Sequence, residues 1–597
     1  MGKNIIICSD GTGNTTIKGR GTNVFRLYES LDLSSHLTKS QNTQQIAFYD
    51  DGVGTQRSLP LKLLGAAFGY GLKRNVRQLY TELVRCYEDG DHIYLFGFSR
   101  GAYTVRTLAR LILKCGIIDR RLLISANDDA ARKRQIIDEK QLKKKVKQAY
   151  SAFRSHNITV FSFLLRTESN RKKQREKAGK FRQRYSHVPQ GDIPIKFVGV
   201  WDTVAAVGFP IQEVADLWDF FIWAFKFRDS HVPKNVQHAY QAIALDEERS
   251  SFRPMVWDET QVNRGEDFTC EQVWFPGVHT NIGGGYKQPG ISLVTLDWMM
   301  TKAENHGLRF IDAKRLMYKE QRNHADRMYD SRTGIATLYR YKPRDIENGY
   351  ENLFTQLGRL LDRVGGTLKK DAHLMMTEES VSGKSTPGEA GELTAEETED
   401  NAFGKEESTL DEEESTPERR KSTFSRGDNL PTRIHSSVLD RILGETAGYA
   451  PINLPENVEI AYTEEHPRVD LDQEREALLA HMRARVRPEA GGRLLDKVSR
   501  HVNTRKRGHF WLFLLCSASG AAVAAALTRG LLDSMRVPIG AIFLLAVGIL
   551  MLVTWRAKTE IRRQASEHWT RIRYPAVNAK TDKSAQNGVP EQARVAP

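Results

Sequence analysis

The sequence predicts an α/β fold: a mostly parallel sheet with helical insertions, a disordered acidic insertion and a C-terminal two-helix transmembrane hairpin. Three observations predict it. Short apolar runs alternate with helix-period segments through the first hundred residues, the pattern of a parallel sheet covered on both faces. Residues 377–418 hold 15 Asp and Glu against 2 Lys, with Phe403 as the sole aromatic, and cannot support a core. Residues 509–528 and 537–555 contain no Asp, Glu, Lys or Arg and are long enough to span a bilayer.

Each element follows from its residues. Residues 5–9 form a short apolar strand ending in the turn DGTGN, and residues 22–31 a helix with Val24, Leu27, Tyr28 and Leu31 at spacings of three and four. A second strand over 45–49 runs into the glycine-rich turn DDGVGT, and a helix over about 71–88 precedes a third strand at 92–96. Runs such as IIIC and IYLFGF suit strands buried on both sides. Two further strands are predicted at 195–201 and 272–276. The aromatic run LWDFFIWAFKF at 217–227 reads either as a buried core helix or as an apolar lid beside a site.

These elements divide the 597 residues as follows: a main domain over 1–375 with a basic insertion at 132–190; the acidic insertion at 376–432; a returning segment of the main domain at 433–460; a basic helical neck at 461–508; the hairpin at 509–555; and a basic, largely disordered tail at 556–597. The net charge of +14 hides a segregation, because residues 132–184 alone hold 18 Lys and Arg against 4 Asp and Glu. Such a block is a solvated face or a surface for anionic lipid headgroups. No motif or aromatic interleaving supports nucleic-acid binding.

Five cysteines form no CxxC pair, so they read as thiols of a reducing compartment, and no metal or cofactor pattern is present. The first apolar run, IIIC, is too short for the core of a signal peptide.

The sharpest chemical signal is GFSRG at 97–101, between the strand HIYLF and the helical pattern AYTVRTLARLIL. A serine on a tight strand-to-helix turn projects its hydroxyl from the sheet, flanking glycines permit close chain approach, and the helix N-terminus favours developing negative charge. Ser99 is the candidate nucleophile. It needs a base and an orienting carboxylate, in the chain order Ser, Asp, His. Asp202 follows the strand IKFVGVW, and His279 follows QVWFPGV ahead of the turn NIGGGY, so both lie at strand ends on the edge that presents Ser99. Asp246, in ALDEER, reads as a helix-embedded acid behind the site. Asp10 opens the loop after the first strand, where the amides of Gly11 and Thr12, with that of Arg100, are candidate oxyanion donors.

The motifs CSDGTGN, YDDGVGT, GFSRGAYTVR, GVWDTV, ALDEER and PGVHTNIGGGY, in this order over roughly residues 1–310, resemble the bacterial and fungal family of uncharacterised α/β-hydrolases that includes the type 1 lipase effectors of the type VI secretion system. The resemblance implies an α/β-hydrolase-like sheet and phospholipase or related esterase activity with Ser99, Asp202 and His279 as the triad. Such proteins commonly read His-x-Asp-Ile-Gly-Gly-Gly, and here Asn281 stands in the acid's place. The alternatives are a catalytically silent hydrolase-fold membrane protein and an exported antibacterial lipase effector. A lipid bilayer and a lipid ester are the expected partners.

Topology follows from flanking cations. Arg505, Lys506 and Arg507 precede the first span and Arg556, Lys558, Arg562 and Arg563 follow the second, whereas the eight-residue loop between holds only Arg529 and Arg536 with Asp533. The positive-inside rule then puts the main domain in the cytosol, as in a resident protein of a bacterial inner membrane.

Overall fold

Apolar strands buried on both faces need helices above and below them, and the chain supplies both. The computed structural model describes residues 2–11, 21–34, 43–52, 66–124, 137–155, 168–204, 231–259, 267–346 apart from 334, 335, 337 and 338, 431–484 apart from 456 and 464–468, 494–529 and 536–574. Residues 1–348 with 425–597 form one unit and residues 349–424 another. The acidic insertion through residue 430, the aromatic run at 217–227 and the tail from 575 lie outside the described residues.

Eight strands form one sheet in the order β2-β1-β3-β4-β5-β6-β7-β8: β1 Asn4–Ser9, β2 Gln45–Asp50, β3 His92–Phe98, β4 Ile195–Trp201, β5 Val236–Ala244, β6 Thr269–Phe275, β7 Thr432–His435 and β8 Val458–Ala461. Every pairing is parallel. The helices used below are α1 Asn23–Ser30, α2 Ala66–Cys86, α3 Arg100–Cys115, α4 Glu139–Ser155, α5 Glu168–Tyr185, α6 His279–Gly283, α7 Gly290–Asn305, α8 Asp312–Glu320, α9 Ser436–Leu443, α10 Val469–Ala484, α11 Ser499–Arg529 and α12 Arg536–Arg573.

Strand alternation divides the core. Ile5 and Ile7 of β1, with Ile93 and Leu95 of β3, pack with Leu79 and Leu83 of α2 and Val105 and Leu108 of α3. Ile6, Cys8, Tyr94 and Phe96 belong to a second cluster with Val24 and Leu27 of α1 and Leu296 and Met299 of α7. The period of two in side-chain direction sends successive residues to opposite faces. The predicted helix at 22–31 is α1, begun by Thr22, whose hydroxyl accepts from the Phe25 amide at 3.2 Å.

Two expectations change. Residues 236–244 form β5, a central strand, so Asp246 follows a strand rather than sitting in a helix. The strand VQHAYQAIA escapes pattern reading because it buries polar residues. Gln241 in it is fully buried, and its amide is satisfied by the Met255 carbonyl and the Gln272 side chain, both at 3.0 Å.

The transmembrane hairpin is the second. Its segments lie within α11 and α12, yet among the described residues no helix is long and apolar enough to cross a membrane. The two-span reading is therefore unsupported, and the side chains of 520–543 lie outside the described residues. What is described shows both helices serving partly as packing elements. Val502 and Leu512 of α11, and Ile561, Ala565, Trp569 and Ile572 of α12, are buried, and the Trp569 indole donates to the Pro451 carbonyl at 2.9 Å. Gly508 lies so close to Thr554 that an added Cβ would come within 2.6 Å of its methyl, so the helices run back along each other.

Candidate active site

In an all-parallel sheet the carboxyl ends of the strands share one edge, where loops can bring distant residues together. Asp10, Ser99, Asp202, Asp246 and His279 all stand just beyond strand ends there.

Ser99 joins β3 to α3 in a sharp turn with φ 57° and ψ −120°, conformationally strained for a residue with a side chain. Its neighbours explain how the turn is possible. A Cβ on Gly101 would come within 2.0 Å of the Ser9 carbonyl oxygen, and one on Gly97 within 2.6 Å of the Ala102 nitrogen. Glycine is required at both positions, since the clash is with backbone. The Ser99 amide donates to the Trp201 carbonyl at 3.0 Å, tying the turn to the end of β4.

Asp202 follows that carbonyl with φ 39° and is fully buried. Its Oδ1 accepts from the Ala244 amide at 3.0 Å. His279 opens the five-residue α6, and its amide donates to Glu247 Oε2 at 3.1 Å. Its ring lies 4.7 Å from that of Phe98 and meets Phe252 edge-on at 5.0 Å. So held, its Nε2 lies 2.8 Å from Ser99 Oγ and its Nδ1 2.5 Å from Asp202 Oδ2. The three residues span 180 positions yet form one hydrogen-bonded line.

The electrostatics fit a proton on Nδ1. Burial would raise the Asp202 carboxyl, but the Arg344 guanidinium and the His279 hydrogen bond hold it well below the usual carboxylate range. Burial lowers the His279 imidazole below its ordinary value, against the opposing pull of Asp202. A neutral imidazole with Nδ1–H toward Asp202 leaves Nε2 free to accept the Ser99 proton.

Other predicted residues take different parts. Asp10 is buried, and its Oδ2 accepts from the Thr22 hydroxyl at 2.5 Å and the Tyr49 hydroxyl at 2.6 Å. The Gly11 amide donates to Asp10 Oδ1 at 2.6 Å, so it is engaged within its own turn. Thr12 lies outside the described residues, and Arg100 opens α3 directly after Ser99. Asn281 Oδ1 accepts from the Val278 amide at 3.3 Å, closing the first turn of α6.

Two residues were not anticipated. Arg344 is 1% exposed and grips Asp202 with both terminal nitrogens, at 2.7 Å to Oδ1 and 2.9 Å to Oδ2. It lies 142 residues away in an irregular segment, with no local signal. Glu247 had one, in the acidic run of ALDEER. It holds the His279 amide and the Arg249 guanidinium, at 2.8 Å to Arg249 Nε. Asp246 braces the preceding loop, accepting from the Gly277 amide at 2.6 Å and the Tyr449 hydroxyl at 3.0 Å. Among the described residues no group of three or more His, Cys, Asp or Glu is arranged to hold a metal ion.

Comparison with known proteins gives likenesses of three kinds, to a family model, to a curated protein and to a solved structure. Residues 3–302 match the family model described as T6SS (type VI secretion system), phospholipase effector Tle1-like, catalytic domain. A protein of Saccharomyces cerevisiae, described as uncharacterised protein YEL023C, is 26% identical over 273 residues, which is 42% of this chain and 32% of that protein. The chain thus matches about a third of the length of this curated relative. A crystal structure of an uncharacterised protein from Pseudomonas aeruginosa aligns with a TM-score of 0.29 at 16% identity, covering 57% of this chain and 50% of the other.

Proposed function

We propose, from the premise that the chain belongs to the family of T6SS Tle1-like phospholipase effector catalytic domains, that it is a membrane-associated serine hydrolase acting on phospholipids or related lipid esters. The observation that carries this reading is the line Ser99–His279–Asp202, with hydrogen bonds of 2.8 and 2.5 Å. His279 Nε2 takes the Ser99 proton as Oγ attacks the ester carbonyl. Asp202 keeps the other imidazole proton on Nδ1 and stabilises the imidazolium. The oxyanion forms at the N-terminus of α3, where the amide of Arg100, the residue directly after Ser99, is a candidate donor. Gly11 joins only by exchanging its contact with Asp10. Collapse expels the alcohol with a proton from His279, and water then releases the acyl group from Ser99.

Membrane attachment in this reading rests on exposed apolar side chains. Leu544, Leu545, Ile549, Met551, Leu552 and Trp555 of α12 are exposed, as are Trp511 and Leu514 of α11. Such a band is what a bilayer would cover. In this reading the cations flanking the band favour the cytosolic face for the catalytic unit, by the logic of the positive-inside rule.

The test is a Ser99→Ala variant assayed on phosphatidylglycerol–phosphatidylcholine vesicles, with products identified by mass spectrometry. Wild-type protein should release fatty acid and react with a fluorophosphonate probe, and the variant should do neither. Turnover retained by the variant in a clean preparation overturns the assignment. Wild-type protein that fails to label identifies a silent hydrolase fold. Equal efficiency on soluble esters with and without vesicles argues against a lipid substrate.

A further inference from the structure

We propose that Arg344 is a positioning residue of the catalytic machinery, whose guanidinium fork keeps Asp202 ionised and thereby sets the tautomer of His279. The inference rests on the serine-hydrolase reading above and adds a residue beyond the segment 3–302 that matches the family.

The geometry is specific. Arg344 donates from Nη1 to Asp202 Oδ1 and from Nη2 to Oδ2, the parallel two-bond arrangement that a planar guanidinium makes with a carboxylate. The same nitrogens donate to the Ala244 carbonyl at 2.5 Å and the Phe252 carbonyl at 2.8 Å, which hold the fork in register with the ends of β4 and β5. Both partners are buried, Asp202 completely and Arg344 to 1% exposure. A lysine has one nitrogen and cannot reproduce this contact set.

The segment bearing Arg344 is itself fixed. Tyr341 forms an antiparallel bridge with Arg249, the Lys342 amide donates to the Glu248 carbonyl at 2.8 Å, and the Ser250 amide to the Arg340 carbonyl at 3.0 Å. Asn453 donates to the Arg344 carbonyl at 3.1 Å. Arg505 of α11 lies over the Tyr341 ring at 3.9 Å. Residues 339–346 thus reach the site as a strap held by the β5 loop, the returning segment and the C-terminal helices.

The consequence is chemical. A buried carboxylate without a cation tends to take up a proton. A protonated Asp202 would donate to His279 Nδ1, place the imidazole proton on Nε2 and leave no acceptor for Ser99 Oγ. Asp246, one strand along, provides the internal contrast. It accepts an amide and a hydroxyl but no guanidinium fork, and burial raises its carboxyl to about 6. The charged and titratable groups facing His279 are Asp202, Glu247 and Arg249, with Tyr286 and Tyr339 beside Arg249.

The experiment compares full-length wild-type protein with Arg344→Gln, Arg344→Lys, Arg344→Ala and Ser99→Ala variants, hydrolysing p-nitrophenyl butyrate between pH 5 and 9. Competent sites are counted by fluorophosphonate labelling to completion at pH 9. Per labelled site, R344Q should lose about 10²-fold or more in kcat/KM at pH 7, within the ~10⁴-fold typical of losing the aspartate itself. The acid limb of its pH profile should move up by about one unit or more, with activity recovering toward pH 9. Added guanidinium chloride in the tens of millimolar should restore R344A saturably, and equal sodium chloride should not. A purely structural role lowers the labelled fraction alone and leaves the limb and guanidinium response unmoved. That result overturns the proposal. Should R344Q and R344A not fold, R344K decides: a wild-type limb and wild-type turnover per site overturn it, and an upward shift sustains it. Turnover retained by S99A overturns the hydrolase reading itself, whereas loss in S99A with normal R344 variants overturns only this one.

Discussion

Asp202 and Asp246 follow adjacent parallel strands at the same sheet edge, and their surroundings drive them in opposite directions. Asp202 is the more deeply buried, yet it is held ionised well below the usual carboxylate range, because a guanidinium meets both of its oxygens. Asp246 is partly buried and accepts only neutral donors, and its carboxyl is pushed up to about 6. Burial alone therefore does not fix the charge of an acid at this edge. The partner does.

The largest effect should come from exchanging the two acids for amides. Asp202→Asn removes the acceptor that fixes the Nδ1 proton and should lower kcat by about 10⁴-fold, as tautomer errors do in serine hydrolases. Asp246→Asn keeps an acceptor for the Gly277 amide and should cost less than about tenfold on the same vesicle assay. Equal losses would break the contrast.

A second measurement concerns stability. Asp246 binds its proton more tightly in the folded chain than in the unfolded one, where 3.8 applies. Its contribution is therefore favourable at low pH and is lost as pH rises from about 4 through about 6, worth on the order of 3 kcal/mol at most. Asp246→Asn should raise stability relative to wild type at pH 8 and lose that advantage near pH 4, read by urea denaturation. Asp202 has the opposite sign. Its contribution is present above the unfolded value and is lost as pH falls through the acid range. A wild-type advantage over Asp246→Asn that grows with pH would contradict the assignment.

The smallest effect tests whether an edge charge outside these contacts matters. Asn281→Asp adds a negative charge near His279 while keeping the acceptor for the Val278 amide. Stability should fall by about 1–3 kcal/mol, because Asn281 is buried and the carboxylate loses the donor to the Arg327 carbonyl, whereas turnover on vesicles, per folded molecule, should change less than about threefold. A larger change would mean that simple proximity, rather than direct hydrogen bonding, governs the site.

Much of this edge was legible in the sequence, because local rules place it. A strand running into a glycine-flanked serine and then a helix can only form a tight turn, and an acid or histidine directly after an apolar strand must stand at the strand's end. Ser99, Asp202 and His279 were found on that logic. The same logic gave β1, β3 and β4 but failed at β5, where buried His238 and Gln241 break the apolar pattern and Gln241 is satisfied only by neighbouring chain. It also read Asp246 as helix-embedded and passed over Glu247, since nothing local says which of the three acids of ALDEER faces the histidine loop.

By itself, then, the sequence determined the parallel sheet, its apolar layers and the order in which Ser99, Asp202 and His279 arrive at its edge. These depend on side-chain periodicity and on turns of a few residues, which neighbouring residues dictate. Only the tertiary structure decided that Arg344 meets Asp202, that Glu247 holds the His279 amide, that Asp10 braces Thr22 and Tyr49, and that α11 packs on the strap carrying Arg344. Those contacts join residues far apart in the chain through buried charge, and the strength of a buried charge depends on every group around it, which no local pattern of residues encodes.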